Sequence, residues 1–316
     1  MFNNNENGAL VRPDVSKDAG IEKSLQTKIN WVGMDEIRMP IHFSSEKQGL
    51  LNSIASIRAV VSLDNKAAKG IHMSRIFLRV EELSSLGVNK KSVEDALKNI
   101  LDSHSDLSER AMVEMKFPIM LKRPALLSDN VGWREYPLYM RVTNEGGKLS
   151  YSYGIRVTYS STCPCSAALA RQIIQNNFKN KFSSDSLDFD AVMEWLGKEE
   201  AVSATPHSQR SFADVWFESN RFLEIDEVIS LIDGLESVVK TPVQSAVKRE
   251  DEQEFARLNG TFPVFVEDSI RKIHGFVDGV GDLTSYKIKV SHFESLHAHD
   301  AVAEVSKGDA RFPDGF

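Results

Sequence analysis

The chain has 316 residues, of which 41% are hydrophobic and 26% charged, so it can form one large or two ordinary domains with a sizeable core. Its formal net charge of -7 argues against a nucleic-acid-binding protein that relies on a broad basic surface. No apolar run approaches the roughly 18–20 residues of a membrane span, and the amino terminus has no secretory signal. We therefore expect a cytoplasmic protein that binds neither nucleic acid nor membrane.

The amino-terminal segment, residues 1–28, is polar and predicts a mobile arm. Two halves of similar make-up follow and predict two related modules, at residues 29–162 and 163–316. Periodicity in the first half predicts two strands, a helix and three more strands, at 54–63, 70–80, 89–103, 110–120, 134–143 and 148–160.

The second half has a comparable pattern of elements. Helices are predicted at 166–178, 189–197, 224–239 and 264–277, and strands at 209–219, 285–292 and 298–305. Parallel alternation of strand and helix is not sustained along the chain. The composite pattern therefore predicts an α+β fold of antiparallel sheet with helices on one face.

The only two cysteines, Cys163 and Cys165, are one residue apart at a boundary between strand and helix. A disulfide closing so small a loop would be strained, whereas thiolates are good ligands for zinc and related divalent ions. Two inert buried cysteines are the alternative. Their adjacency at an element boundary favours a metal-binding or catalytic role.

Histidines supply the second candidate group. His207 follows Pro206 in a predicted loop and is interpreted as a ligand or an acid/base group, or as an ordinary loop histidine. The densest cluster is the segment 292–299, where Glu294 and His297 lie beside further histidines. With the cysteines, these residues compose a plausible site with sulfur and nitrogen ligands and a position open for water.

The charged segment 248–254 is by itself typical of a solvated helix face or loop. It also offers cations for phosphates and a carboxylate for the edge of a base. Arginine binds phosphate through its planar fork of donors. The candidate phosphate partners are Arg75, Arg210, Lys248 and Arg249.

In combination and in order, several segments resemble the type IB GTP cyclohydrolases, which catalyse the first step of folate synthesis. The resemblance covers most of the chain, and its segments lie at residues 69–75, 161–166, 207–211, 248–252, 265–268 and 293–299. It implies a tandem tunnelling fold that assembles as a homo-oligomer, most simply a homotetramer with sites near subunit interfaces. It also implies GTP as substrate, formate and 7,8-dihydroneopterin triphosphate as products, and a divalent metal (zinc, manganese or iron).

The resemblance also implies roles for individual residues. Cys163 and His207 match metal positions, Glu294 and His297 match an acidic residue and a histidine near the metal, and Cys165 matches a second thiol. The chain departs from the family at 240–244, which lacks a carboxylate that approaches the metal. It also has Arg257 at the ungapped position of the purine-anchoring glutamate, so Glu254, one helical turn earlier, becomes the expected anchor.

The chemistry requires these types of residue. Opening the imidazole ring of a purine needs an activated water, a proton donor for the departing nitrogen and a carboxylate that recognises the guanine edge. Two alternatives remain open from the sequence. One is an enzyme of the same fold that acts on another purine or pterin, and the other is a non-catalytic scaffold stabilised by metal.

Overall fold

The computed structural model describes residues 21–183, 187–309, 312–313 and 315–316. Residues 1–20 of the predicted arm therefore lie outside the described part of the chain. Within that part, eight strands and seven α-helices form, preceded by a short 3-10 turn at Lys23–Leu25. None of the described helices has both the length and the apolar character needed to span a membrane.

The strands are β1 (Ile29–Ser45), β2 (Gly49–Leu63), β3 (Arg110–Pro124), β4 (Val131–Glu145), β5 (Lys148–Thr162), β6 (Ser208–Ser219), β7 (Leu283–His292) and β8 (Ala301–Lys307). The helices are α1 (Met73–Leu86), α2 (Lys90–Asp102), α3 (Pro164–Lys181), α4 (Phe189–Leu196), α5 (Ile225–Val239), α6 (Arg249–Thr261) and α7 (Val266–Asp278).

All eight strands belong to one sheet and follow each other in chain order from β1 to β8. The pairs β1–β2, β2–β3 and β7–β8 are antiparallel. The tight turn between β4 and β5 contains Gly146 and Gly147, both at positive φ, as a short hairpin turn requires. The predicted α+β class with an antiparallel sheet is confirmed.

The chain forms two compact units, each assembled from segments that are separate in the sequence. The first, called here the N-terminal unit, contains the described part of 1–119 together with Leu138–Tyr153 and Ser219–Asp226. The second, called the C-terminal unit, contains Met120–Pro137, Gly154–Glu218 and the described part of 227–316.

Helix α1 stands where the sequence predicts a strand at 70–80, and that prediction is wrong. Ile76, Val80 and Leu83 are fully buried and recur at the spacing of one helical face, which packs on α2, β1 and β2. The apparent alternation in this segment is misleading because short apolar runs fit the period of either a strand or a helix.

Strand β1 is not predicted from the sequence because its pattern is interrupted. Its pairing with β2 shifts register between Ile29 and Val32 and again between Met34 and Ile37, so no single alternation runs along it. Gly33 lies so close to β2 that a Cβ there would stand 2.2 Å from the carbonyl oxygen of Ala59. The glycine therefore allows the two strands to approach at this point.

In the C-terminal unit, α7 packs on β7 and β8 and buries Ile270, Ile273 and Val277. It also packs closely against α5, because a Cβ at Gly234 would stand 2.1 Å from the ring of Phe276. Because α7 buries its apolar face against the sheet, its amino terminus lies beside the ends of β5 and β7. Several polar side chains lie close together there.

The charged segment at the start of α6 is not fully exposed to solvent, because one of its carboxylates, that of Asp251, is buried. Asp251 has no exposed surface and accepts hydrogen bonds from the backbone N–H groups of Leu127, Ser128 and Lys248 at 2.8 to 2.9 Å. The Ser128 hydroxyl donates a fourth at 2.5 Å. Burial alone would raise the pKa of Asp251, but these hydrogen bonds outweigh it and hold the pKa below the ordinary 3.8.

Replacing Asp251 with asparagine is expected to lower the melting temperature at pH 7 by several degrees or more, because an amide cannot accept all four bonds. The folded-state pKa lies below the unfolded value, so the carboxylate stabilises the fold above pH 3.8, and this contribution is lost as the pH falls further. Thermal melts of both proteins at pH 7 and under acid should show the difference shrinking with falling pH. A constant difference would contradict this account.

Candidate active site

Cys163 and His207 are brought together by two neighbouring strand ends. Cys163 follows the last residue of β5, His207 precedes the first residue of β6, and the Cys163 N–H donates to the His207 carbonyl oxygen at 3.2 Å. One residue away, the hydroxyls of Thr162 and Ser208 are 2.7 Å apart. Residues more than forty positions apart in sequence therefore meet where β5 ends and β6 begins.

Helix α3 begins directly after Cys163, with Pro164 in its first turn. The positive end of the helix dipole therefore lies next to the Cys163 side chain. Both cysteines are free; Cys163 is half-buried and Cys165 is exposed. Of the two thiols, Cys163 is therefore the one enclosed by the site.

Glu294 approaches His207 from the segment that follows β7. The two side chains are 14% and 21% exposed, and Glu294 Oε2 lies 3.8 Å from His207 Nδ1. Gln209 lies between them: its Oε1 is 3.0 Å from His207 Nδ1, and its Nε2 is 3.4 Å from Glu294 Oε1. Three of the residues predicted from the sequence, Cys163, His207 and Glu294, are thus neighbours in the structure.

A cavity of about 230 Å³ opens beside these residues. Cys163, Gln209 and Glu294 line it on one side, and Glu267 from the first turn of α7 lines it on another. Glu267 is exposed, so its carboxylate is available to a ligand that enters the cavity.

His292 closes the floor of the cavity as a neutral, buried imidazole. Its Nε2 lies 2.9 Å from the Tyr159 hydroxyl and 3.4 Å from the Ser269 hydroxyl. Burial lowers the pKa of His292 to about 4, although the nearby Glu267 carboxylate opposes the shift. His292 is therefore uncharged near pH 7, with hydroxyl partners that hold its ring in place.

Among the described residues, no group of three or more histidine, cysteine or acidic side chains is arranged to hold a metal ion. The chemistry of the neighbouring donors nevertheless suits a divalent metal, because thiolate, imidazole and carboxylate are the ligands of zinc and of related ions. His297 stands apart from this group. It is exposed and stacks on His299, with ring centroids 5.1 Å apart.

The predicted phosphate partners occupy different places. Arg210 lines a second cavity of about 490 Å³ in the C-terminal unit, together with Arg156 and Phe212. Lys248 donates to Asp129 at 2.7 Å, and Arg249 is exposed at the start of α6. Arg75 belongs to the N-terminal unit, where its guanidinium donates to the Ser103 carbonyl oxygen at 2.7 Å.

Glu254, the expected purine anchor, forms two hydrogen bonds with Arg257 at 2.6 and 2.7 Å, one turn along α6. It does not line either cavity described above. Sequence reasoning assigned no role to Gln209 and Glu267, although both lie in segments that resemble the family. The available signal was two short runs of polar residues, 207–211 at the start of β6 and 267–269 at the start of α7.

Comparisons with known proteins show which family the chain resembles in sequence. Residues 13–303 match the model of the family described as type I GTP cyclohydrolase folE2. The GTP cyclohydrolase FolE2 of Pseudoalteromonas translucida (strain TAC 125) is 47% identical over 300 residues, covering 94% of this chain and 98% of that protein. The FolE2 of Hydrogenovibrio crunogenus (strain DSM 25203 / XCL-2) is 46% identical over 283 residues, covering 89% and 90%.

Among solved structures, the uricase from Arthrobacter globiformis superimposes with a TM-score of 0.52 at 8% identity, covering 90% of this chain and 96% of the uricase. At this identity the likeness concerns the fold alone, and it confirms the predicted tunnelling fold. The family match extends over most of the chain and includes the segments that carry Cys163, His207 and Glu294. The chain therefore belongs to the type I GTP cyclohydrolase family represented by FolE2.

Proposed function

We propose that the protein hydrolyses GTP to formate and 7,8-dihydroneopterin triphosphate, the first step of tetrahydrofolate biosynthesis. The observation that carries this proposal is a cavity lined by Cys163 and Glu294, with His207 next to both residues, in a chain of the FolE2 family. A neighbouring thiol, imidazole and carboxylate are the groups that hydrolytic opening of a purine ring requires.

A divalent metal, zinc or manganese or iron, would be held by Cys163 and His207, with Glu294 or a water completing its ligands. When bound, such an ion makes water a nucleophile near neutral pH and polarises the carbonyl of a formamide. His297 can join this set only if it leaves its stacking contact with His299. Cys165, exposed in the next turn, is the second thiol beside the site.

His207 would transfer protons at the purine ring. Its side chain is mostly enclosed, with one ring nitrogen engaged by Gln209, so its other nitrogen can accept a proton from water and donate one to the departing ring nitrogen. His292 would bind no proton at neutral pH, since its pKa is about 4. It would instead shape the cavity and exclude water beneath the purine.

The purine would be recognised by a carboxylate at the cavity, because a carboxylate accepts the N–H groups of the guanine edge and discriminates GTP from ATP. Glu267 lines the cavity and is exposed to it, whereas Glu254 is bound to Arg257. We therefore place the guanine edge on Glu267 and keep Glu254 as the alternative anchor.

The triphosphate would be bound by cationic side chains near the site. Arg210 lies three residues from His207 on β6 and opens into the larger cavity, so it is the first candidate. Lys248 and Arg249 at the start of α6, and Arg75, would add charge. A GTP pool and two free thiols both suit the reducing cytoplasm, where we place the protein.

A homotetramer with active sites near subunit interfaces, as the resemblance to the family implies, is part of this proposal. Light scattering should then give a mass of about four chains of 35.4 kDa each. A monomer with full GTP turnover would contradict the assembly while leaving the reaction itself untouched.

The reaction is tested by GTP turnover of chelator-treated protein to which zinc, manganese or iron is added back. We expect formate release and pterin fluorescence to appear together and to depend on the added ion. A folded protein that forms neither product with any ion would reject the GTP reaction in favour of another purine or pterin substrate, or of a non-catalytic metal-bound scaffold.

Changing Glu267 to glutamine should reduce kcat/KM for GTP by about 10- to 100-fold, the cost of one hydrogen bond to a charged group. The loss should appear mainly in KM if the carboxylate binds the ground state. Glu199→Gln, an exposed change in the turn after α4, is the matched control and should leave turnover unaltered. A large loss in Glu254→Gln with none in Glu267→Gln would move the purine to Glu254.

A further inference from the structure

Gln209 is the side chain through which His207 and Glu294 are joined. It is 8% exposed on β6, and its amide engages three residues at once. Its oxygen lies 3.0 Å from His207 Nδ1, and its nitrogen lies 3.0 Å from Ser161 Oγ and 3.4 Å from Glu294 Oε1. Both the oxygen and the nitrogen of the amide are therefore used within the site.

Glu294 decides which way this amide faces. An ionised carboxylate can only accept hydrogen bonds, so it selects the NH2 end of Gln209 as its neighbour. The flipped amide would direct its carbonyl oxygen at the carboxylate, placing two acceptors 3.4 Å apart. The hydrogen-bond network thus assigns the amide nitrogen to Glu294 and the amide oxygen to His207.

Once the amide is oriented, the tautomer of His207 follows. A carbonyl oxygen cannot donate, so the 3.0 Å contact forms only when His207 Nδ1 carries the hydrogen. Glu294 Oε2, 3.8 Å from the same nitrogen, adds a negative charge that also favours a hydrogen there. A neutral imidazole has a single N–H, which leaves the lone pair on Nε2.

We propose that Gln209 is a positioning residue that holds His207 in the Nδ1–H tautomer and so reserves Nε2 as the ligand or base. What Nε2 then does rests on the proposed function, but the tautomer is a property of the folded chain. Ligating histidines commonly donate their second N–H to a carbonyl or carboxylate, which fixes their orientation and raises their basicity.

A buried pair of serines holds Gln209 itself. The Ser161 hydroxyl that accepts from Gln209 also lies 2.8 Å from the hydroxyl of Ser211, and both serines are fully buried. The second proton of the amide is therefore anchored on the side away from His207. Such an outer layer keeps the Gln209 oxygen in place before any ligand binds.

The tautomer is measured by ¹⁵N NMR of the metal-free protein at pH 8, where imidazoles are neutral. The signals of His207 are identified by their loss in His207→Gln. We expect the hydrogen on Nδ1 in the wild type and in Gln209→Glu, which retains an acceptor. We expect that preference to weaken in Gln209→Met, which has no acceptor and leaves only the more distant Glu294 carboxylate beside Nδ1. A wild-type hydrogen on Nε2, or an unchanged tautomer in Gln209→Met, would overturn the proposal.

Metal titration gives a second readout without substrate. Gln209→Met should weaken the binding of zinc or manganese by about 10- to 100-fold, the usual effect of removing an outer partner of a ligand. Ser161→Ala removes one anchor of Gln209 but spares its bond to His207, so the preference for the Nδ1–H tautomer should weaken less than in Gln209→Met. Loss of the tautomer in Ser161→Ala equal to that in Gln209→Met would count against a specific role for the amide oxygen.

These measurements separate the two proposals. If the hydrogen is on Nδ1 but no GTP is consumed, the proposed reaction fails and the role of Gln209 stands. If GTP is consumed with the hydrogen on Nε2, the reaction stands and the role of Gln209 fails. Should Gln209→Met not fold, the spectra of the wild type and of Gln209→Glu still decide the question.

Discussion

Replacing Cys163 with alanine is expected to reduce GTP turnover by more than about a hundred-fold, a larger loss than follows from removing a residue that only supports a metal ligand. The thiol is the only sulfur that lines the cavity among the described residues, and it stands at the amino terminus of α3. Without it, a divalent ion would retain only imidazole and carboxylate ligands. Turnover and metal content per chain should therefore fall together.

The substitution should leave the fold intact. Cys163 is half-buried, and its side chain makes no capping hydrogen bond to the helix it precedes. Circular dichroism and the melting temperature of the metal-free protein are the controls. Cys165→Ala removes the exposed neighbouring thiol and should have a smaller effect. Near-normal turnover of Cys163→Ala would refute the metal assignment, and equal losses in both variants would assign the two thiols a joint role.

Much of the fold is predictable because the relevant signals are local. Strands β3 and β7 largely alternate buried and more exposed residues, and α2, α5 and α7 have clear helical spacing, so each of these segments indicates its own structure. The turn between β4 and β5 follows from its glycines. These are the parts of the chain in which burial on one face alone determines the pattern.

The failures arise where tertiary contacts override the local pattern. The 70–80 segment is predicted as a strand but forms the start of α1, since the apolar residues that define its helical face continue to Leu83, beyond the end of that segment. Asp251 is interpreted from the sequence as part of a solvated charged segment. Its burial depends on a loop at 127–128, more than a hundred residues earlier, which no pattern within α6 can indicate.

The candidate site divides in the same way. Cys163, His207 and Glu294 have residue types that stand out in a sequence, and the structure places them together. Gln209 and Glu267 have ordinary types, and their significance depends on what they face. Glutamine on a strand and glutamate in the first turn of a helix are common, so only the three-dimensional arrangement distinguishes these two from others of their kind.

Replacing His207 with alanine is expected to lower kcat by about 10²- to 10⁴-fold, the usual contribution of a positioned acid or base. The imidazole is held on one side by Gln209 and approached by Glu294, so its position is defined before substrate binds. Steady-state kinetics with GTP and saturating metal measure the loss. KM should change less than kcat if His207 acts mainly in the transition state.

His274→Ala is the matched control, because this histidine of α7 in the same unit is also partly buried and bonded to a neighbour, the Tyr286 hydroxyl at 2.9 Å. It touches neither cavity and should retain turnover.

If saturating metal restores His207→Ala to near the wild-type kcat, the histidine serves mainly as a ligand whose loss excess metal can offset. If kcat stays low while metal content is normal, His207 carries the proton. A normal kcat without added metal would exclude both roles and leave Cys163 and Glu294 to perform the chemistry without it.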